Sequence, residues 1–173
     1  MMDFKQYIAD IPDFPEEGII FRDVTPLLKD KTAYKESIQA MAKWIEELGV
    51  HIDAVAGPEA RGFIFGCPLA YEINAGFIPV RKPGKLPRET VSEEYALEYG
   101  TNEVQIHADS IKPGENVVII DDLLATGGTV EATVKLIEKL GGHVAGIAFL
   151  IELEALNGRD KLEGYHVFSL MKY

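Results

Sequence analysis

Apolar positions along the chain change their period several times, and the changes divide it into elements. Residues 3 to 9 read as a short helix, and "FPEEGIIFRDVTPLLKD" as irregular apart from an extended core at Gly18 to Arg22. From Asp30, a capping residue type, Tyr34, Ile38, Met41, Ile45 and Leu48 recur at steps of four and three until Gly49, which predicts an amphipathic helix with a core-facing stripe. "IDAVAG" reads as a buried strand, residues 62 to 74 as a helix, and "GFIPV" as a second strand. "YALEYG" and "NEVQIHA" predict a hairpin turning near Gly100 and Asn102. "NVVIID" predicts a third buried strand, stopping at two aspartates, before a helix to Leu140 with Val130, Val134, Ile137 and Leu140 inward. "HVAGIAFLIEL" and "HVFSL" supply further strands. Strands alternating with helices predict an α/β fold: a mostly parallel twisted sheet with helices on both faces, the hairpin being an excursion from it.

Composition narrows this picture only slightly. The 173 residues, 47% hydrophobic and 26% charged, suit a single globular domain spanning residues 1–173 with a core of its own. No apolar run reaches the length of a bilayer span, and the acidic start "MMDFKQYIADIPDFP" has no apolar signal core. Cys67 is the only cysteine, which excludes an internal disulfide, fits a reducing cytoplasm, and reads as a small core residue within "GFIFGCPLA". A net charge of −11 argues against broad nucleic-acid or anionic-membrane binding. Against that background "RKPGKLPR", residues 81 to 88, holds four bases and no acid. A charge run is usually a solvated loop, but this one makes a local field for a small anion, and its prolines and glycine mark a loop.

The chemistry concentrates at "VVIIDDLLATGGT". Open parallel sheets bind ligands at the carboxyl ends of their strands, and Asp121 and Asp122 stand at such an end. Their carboxylates suit vicinal hydroxyls, as on a ribose, or a magnesium ion held through water. Ala125, Thr126, Gly127, Gly128 and Thr129 then open a helix, where successive N–H groups and the helix dipole make a phosphate nest that needs no lysine. Neither Gly-Lys-[Ser/Thr] nor G-x-G-x-x-G occurs here. An acid pair or a glycine pair alone is more often a cap and a turn; the ordered combination after a buried strand describes a ribose 5-phosphate site. The four histidines lack metal-ligand spacing.

"VVIIDDLLATGGT" resembles the 5-phosphoribosyl 1-pyrophosphate motif of the type I phosphoribosyltransferases. "IPDFPEEGIIFRDVTPLL", "GPEARGFIFG", "VRKPGKLP" and "YALEYG" resemble, in order, segments of that family's adenine-using branch, with Pro58 standing where the family has an aliphatic residue. The resemblance implies the type I fold, with an N-terminal base-binding hood over residues 1–30 and a flexible lid over 82–94. It implies a purine-salvage enzyme joining adenine to 5-phosphoribosyl 1-pyrophosphate to give AMP and pyrophosphate, with magnesium held mainly through substrate and water. The alternatives are transfer to another purine, or a non-catalytic regulator that senses the sugar phosphate.

Residue roles follow from the same resemblance. Asp121 and Asp122 hold the ribose hydroxyls, and Ala125 to Thr129 wrap the 5-phosphate. Glu59, Ala60 and Arg61 form the pyrophosphate loop, which the resemblance expects to contain a non-proline cis peptide at Glu59–Ala60. A guanidinium fork suits Arg61 to phosphate oxygens. Lys85 approaches pyrophosphate when the lid closes, and Arg81 reaches it across a homodimer interface. Ile20, Phe21, Arg22 and Leu123 hold adenine. Glu98 is the candidate acid or base, with Tyr99 beside it lining the closed lid.

Overall fold

The computed structural model describes residues 1–173. Asp3 caps a 3-10 turn at Phe4–Tyr7 by accepting from the Lys5 N–H, 3.2 Å away. An antiparallel pair follows, β1 (Ala9–Pro12) and β2 (Ile20–Asp23). The short helix α1 (Thr25–Lys29) occupies a stretch expected to be irregular. Asp30 caps α2 (Lys31–Glu47), accepting from the N–H groups of Thr32 and Ala33 at 3.0 and 2.8 Å, and Gly49 ends it at φ +70°. Then come β3 (Ala54–Pro58), α3 (Arg61–Glu72), β4 (Gly76–Val80), the hairpin β5 (Thr90–Ala96) and β6 (Thr101–His107), β7 (Asn116–Leu124), α4 (Gly128–Lys139), β8 (His143–Glu152) and β9 (Val167–Lys172).

Four local expectations are corrected. The hairpin turns at Leu97 to Gly100, whose N–H and C=O bond at 3.0 Å, and Asn102 lies inside β6 opposite Tyr95. The first strand of the hairpin begins at Thr90 rather than at Tyr95, where "YALEYG" starts. β7 does not stop at the aspartates, because Leu123 and Leu124 continue its ladder against Ile151 and Glu152 of β8. Cys67 is exposed rather than in the core, since Phe65 and Leu69 set the buried face of α3 and a residue midway between them points outward.

Five strands form one parallel sheet in the order β4-β3-β7-β8-β9. The chain leaves β3 toward β4 on one side and later resumes at β7 on the other. The carboxyl ends of β3 and β7 therefore flank the point where strand order reverses, which is where open α/β sheets leave a crevice. Alternation along the strands divides the core in two. Val55, Val118, Ile120, Ala148 and Leu150 pack under α2 and α3. Ala54, Ala56, Val117, Ile119, Ile147 and Phe149 face α4 and the hairpin, which buries Val104 and Ile106 on that side. The hairpin is tied to β4 by Arg81, whose N–H donates to the Gln105 carbonyl at 2.9 Å while Gln105 N–H donates back at 2.7 Å.

Glu152, at the end of β8, is a buried carboxylate with a full set of partners. Arg159 donates to it through Nε at 3.0 Å and Nη2 at 2.5 Å, and the Ser169 hydroxyl donates at 2.6 Å. These bonds pin the 3-10 segment Gly158–Leu162 to the sheet edge. Hydrogen bonds from Arg159 hold the Glu152 carboxyl down at about 2 against the opposing effect of burial. Its folded value lies below its unfolded one, so this stabilisation is present above the ordinary carboxylate range and disappears as pH falls toward 2. Glu152→Gln is expected to cost about 2 kcal/mol at neutral pH, Arg159 being partly exposed, and to flatten the loss of stability between pH ~4.5 and ~2. Urea denaturation across that range checks this; equal pH dependence in both proteins would contradict it.

Candidate active site

Three openings meet at the carboxyl ends of β3 and β7. The largest, about 500 Å³, has Glu59, Ala60 and Arg61 on one side and Asp121 and Asp122 at its base. A second of about 80 Å³ is formed by the backbone of Ala125 to Thr129. A third of about 100 Å³ lies between Ile20, Phe21 and Arg22 on β2 and Leu123 on β7. All three share residues of β7, so a ligand crossing them spans contiguous space.

The acid pair is electrostatically divided. Asp122, 6% exposed, forms an ion pair with Arg61, Nε to Oδ2 at 2.7 Å, while Asp121 Oδ1 accepts from the Asp122 N–H at 2.8 Å. Burial, then the neighbouring Asp122 carboxylate, push the Asp121 carboxyl well above its usual range. Space for it exists because residue 62 is glycine: a Cβ there would stand 3.1 Å from Asp121 Oδ1 and 3.0 Å from Pro58 Cδ.

The loop after β3 is equally determined. The Glu59–Ala60 peptide is cis, as the resemblance implied. Glu59 accepts from Lys82 N–H at 2.8 Å and from Arg81 Nε at 3.2 Å. The Lys82 amide, with Arg81 beside it, lowers the Glu59 carboxyl below its ordinary value. Arg81 thus rests on Glu59 of its own chain. The guanidinium of Arg61 lies 5.6 Å from the Phe21 ring centroid, so one side chain touches the β2 cleft and the acid pair together.

The loop after β7 is shaped by absent side chains. Gly127 precedes α4 at φ +84°, and a Cβ on it would come within 2.6 Å of the Gly158 carbonyl. A Cβ on Gly158 would in turn overlap the Ala125 carbonyl. The loop is therefore backed by the segment that Arg159 and Glu152 hold in place. On its other side the Tyr95 ring stands 3.0 Å from where a Gly128 Cβ would be. The N–H groups at the start of α4 and its dipole remain directed at the small opening.

In the β2 cleft, backbone direction supplies the polar edge. Phe14 N–H donates to the Ile19 carbonyl at 3.2 Å, so Ile19 C=O faces the β1 side. Alternation then turns Ile20 C=O and Arg22 N–H the other way, along an edge with no partner strand.

The structure thus brings together Ile20, Phe21, Arg22, Glu59, Ala60, Arg61, Asp121, Asp122, Leu123 and Ala125 to Thr129. It does not bring Lys85, Glu98 or Tyr99 to them: Lys85 is exposed on the basic segment, and the other two are exposed at the hairpin tip. Sequence reasoning missed Lys82, Tyr95 and Asn102, which line the main opening, and Gly158 behind the anion loop. The two-residue alternation through Val104 and Ile106 would have placed Asn102 on the inward face of β6, and Tyr95 opposite it. Nothing in "NGRD" signals the part played by Gly158.

Residues 24–171 match the phosphoribosyl transferase domain family. The adenine phosphoribosyltransferase of Lachnoclostridium phytofermentans is 61% identical over 173 residues, covering 100% of this chain and 98% of that protein. Among solved structures, the adenine phosphoribosyltransferase of Thermoanaerobacter pseudethanolicus superposes with a TM-score of 0.94 at 57% identity, over 98% of each chain. That of Saccharomyces cerevisiae, complexed with D-2,5-dideoxy-2,5-imino-altritol 1,6-bisphosphate and adenine, superposes at 0.92 with 39% identity, over 96% of this chain and 98% of that one.

A Cβ at residue 127 has no room and the wrong backbone angle. Gly127→Ala is expected to lower stability by about 1–3 kcal/mol and to remove protection of the fold by inorganic phosphate. Thermal melts with and without phosphate test this; a variant protected as well as the parent would contradict the nest.

Proposed function

As the chain belongs to the phosphoribosyltransferases, and within them to the adenine phosphoribosyltransferases, we propose that its three joined openings hold adenine, the ribose with its pyrophosphate, and the 5-phosphate, in that order. The observation that carries this reading is their convergence on one strand end: Leu123 borders the base cleft, Asp121 and Asp122 the middle, and Ala125 to Thr129 the nest. A cytoplasmic homodimer belongs to the same proposal and rests on the family resemblance alone. No helix is long and apolar enough to cross a membrane.

Adenine lies between Phe21 and Leu123. Its exocyclic amine donates to Ile20 O, and Arg22 N–H donates to the ring nitrogen beside that amine. Asp121 and Asp122 accept from the ribose hydroxyls. Asp121, its carboxyl held high by burial and by the neighbouring Asp122, gains a hydroxyl partner when the ribose binds. Arg61 keeps Nε on Asp122 and turns its Nη groups to pyrophosphate, joined by the N–H groups of the Glu59–Ala60 loop. Arg81, once it leaves Glu59, serves the neighbouring site of the dimer.

The reaction breaks the bond between the sugar's C1 and pyrophosphate and makes one to adenine, through an oxocarbenium-like state comparable to that of glycoside hydrolysis. Little nucleophilic help is needed, so these residues act by alignment, by stabilising the leaving group and by excluding water. The lid carries Lys85 toward pyrophosphate, and the hairpin tip carries Glu98 toward the base to accept its proton, with Tyr99 closing beside it. Magnesium suits the donor set. Asp121 and Asp122 offer hard oxygens at the base of the main opening, and such ions take most of their ligands from phosphate and water. When bound, it neutralises charge on the departing pyrophosphate.

AMP formation from adenine and 5-phosphoribosyl 1-pyrophosphate is the direct test. Guanine and hypoxanthine present a carbonyl and an N–H where adenine presents the reverse, which sets acceptor against acceptor at Ile20 O and donor against donor at Arg22 N–H. Discrimination of roughly 10⁴-fold is expected, and equal use of guanine would sink the base assignment. Asp121→Asn and Asp122→Asn should each raise the KM for the sugar pyrophosphate without unfolding the protein, and unchanged kinetics in both would remove the ribose assignment. Limited proteolysis between residues 82 and 89 should slow when sugar pyrophosphate and magnesium are added; equal cleavage would count against a closing lid.

A further inference from the structure

The two walls of the base cleft belong to different sheets. β2 pairs only with β1, and no ladder joins that pair to the five-stranded sheet carrying Leu123. A slot that fits one planar ring therefore depends on side chains to hold its walls at a constant spacing.

Arg22 makes that connection. Its side chain, 18% exposed, runs away from the backbone edge toward Tyr173, and the guanidinium carbon lies 4.1 Å from the Tyr173 ring centroid. Nη1 pairs with Asp10 on β1 at 2.5 Å, while Nε is buried without a hydrogen-bond partner. A desolvated guanidinium gains more from an aromatic face than a hydrated one does. Lys5 Nζ approaches the same ring at 4.4 Å, so two cations from the hood segment rest on one aromatic. Tyr173 is itself fixed to the large sheet. Its N–H donates to Glu152 O at 2.9 Å and its carbonyl accepts from Glu154 N–H at 2.9 Å. Glu152 is the ladder partner of Leu124, next to Leu123. The connection from the Arg22 backbone through its guanidinium, the Tyr173 ring and β8 to the opposite wall is unbroken.

We propose that Tyr173 is a positioning residue for the base: its ring seats the Arg22 guanidinium and thereby sets the spacing between the hydrogen-bonding edge of β2 and Leu123. The inference rests on the assignment of adenine to this cleft. Tyr173 acts through Arg22 and does not line the cleft itself.

The test compares Tyr173→Phe, Tyr173→Leu and Tyr173→Ala in the full chain, with Phe21→Ala as a control on the cleft. Phe keeps the aromatic face; Leu keeps much of the bulk without it. Tyr173→Leu and Tyr173→Ala should raise the KM for adenine about tenfold, the scale of one partly desolvated cation–aromatic contact. The KM for the sugar pyrophosphate should stay within about twofold, and Tyr173→Phe should match the parent in both. KM does not depend on what fraction of the enzyme is folded, so a general loss of structure would not produce this split. A Tyr173→Leu enzyme with parental KM for adenine, or one in which both KM values rise together, overturns the proposal. If Phe21→Ala raises the adenine KM while the Tyr173 variants do not, only the positioning role falls. If Phe21→Ala leaves it unchanged, the adenine assignment falls and the proposal with it.

Discussion

Asp121 and Asp122 are consecutive residues of a strand whose preceding four residues are wholly buried, and two like charges so placed repel each other in a medium that screens poorly. The site is arranged around this constraint. One carboxylate is neutralised by Arg61 from the start of α3, and the other is left with its carboxyl pushed up, facing an opening. Gly62 is needed so that α3 can start close enough to deliver Arg61 without filling the space that Asp121 occupies. The reversal of strand order at β3 brings α3 beside β7 in the first place. Fold, charge pairing and cleft are thus aspects of one arrangement.

The remaining walls are added from outside the large sheet. The hood pair β1–β2 supplies a backbone edge, the hairpin β5–β6 supplies Tyr95 and Asn102, and the segment after β8 backs the anion loop through Gly158. None of them is laddered along its length to the large sheet, and each is fastened at a few points: Arg22 on Tyr173, Lys139 on the Ser92 carbonyl at 2.8 Å together with the Arg81–Gln105 backbone bridge, and Arg159 on Glu152. Walls held this way can move with less disruption than the sheet, which suits an enzyme that must admit two substrates and then exclude water.

Much of the fold was legible in the chain because burial imposes a period on it. The stripe from Tyr34 to Leu48, the strand over "IDAVAG" and the cap at Asp30 all reappear where periodicity and capping put them. Polar edge elements such as β1 carry no such period, and Cys67 was misplaced because an apolar run does not show which of its residues a helix turns outward. In the site, the acid pair and the glycine turn were legible because their chemistry is local: strand end, two carboxylates, nest.

Three things depended on distant segments meeting. Arg81 pairs with Glu59 and Arg61 with Asp122 across tens of residues, and no sequence spacing encodes either pairing. Gly158 behind Gly127 is a matter of excluded volume between two backbones. The separation of Lys85 and Glu98 from the acid pair is set by how the hairpin docks on α4 and β4. The sequence by itself determined that two carboxylates and a glycine turn would stand together at the end of a buried strand, since residue type and strand-end position follow from local chemistry and burial. Only the tertiary structure decided which charges neutralise one another and how far apart the walls stand, because Coulomb energy and steric exclusion act through space and not along the chain.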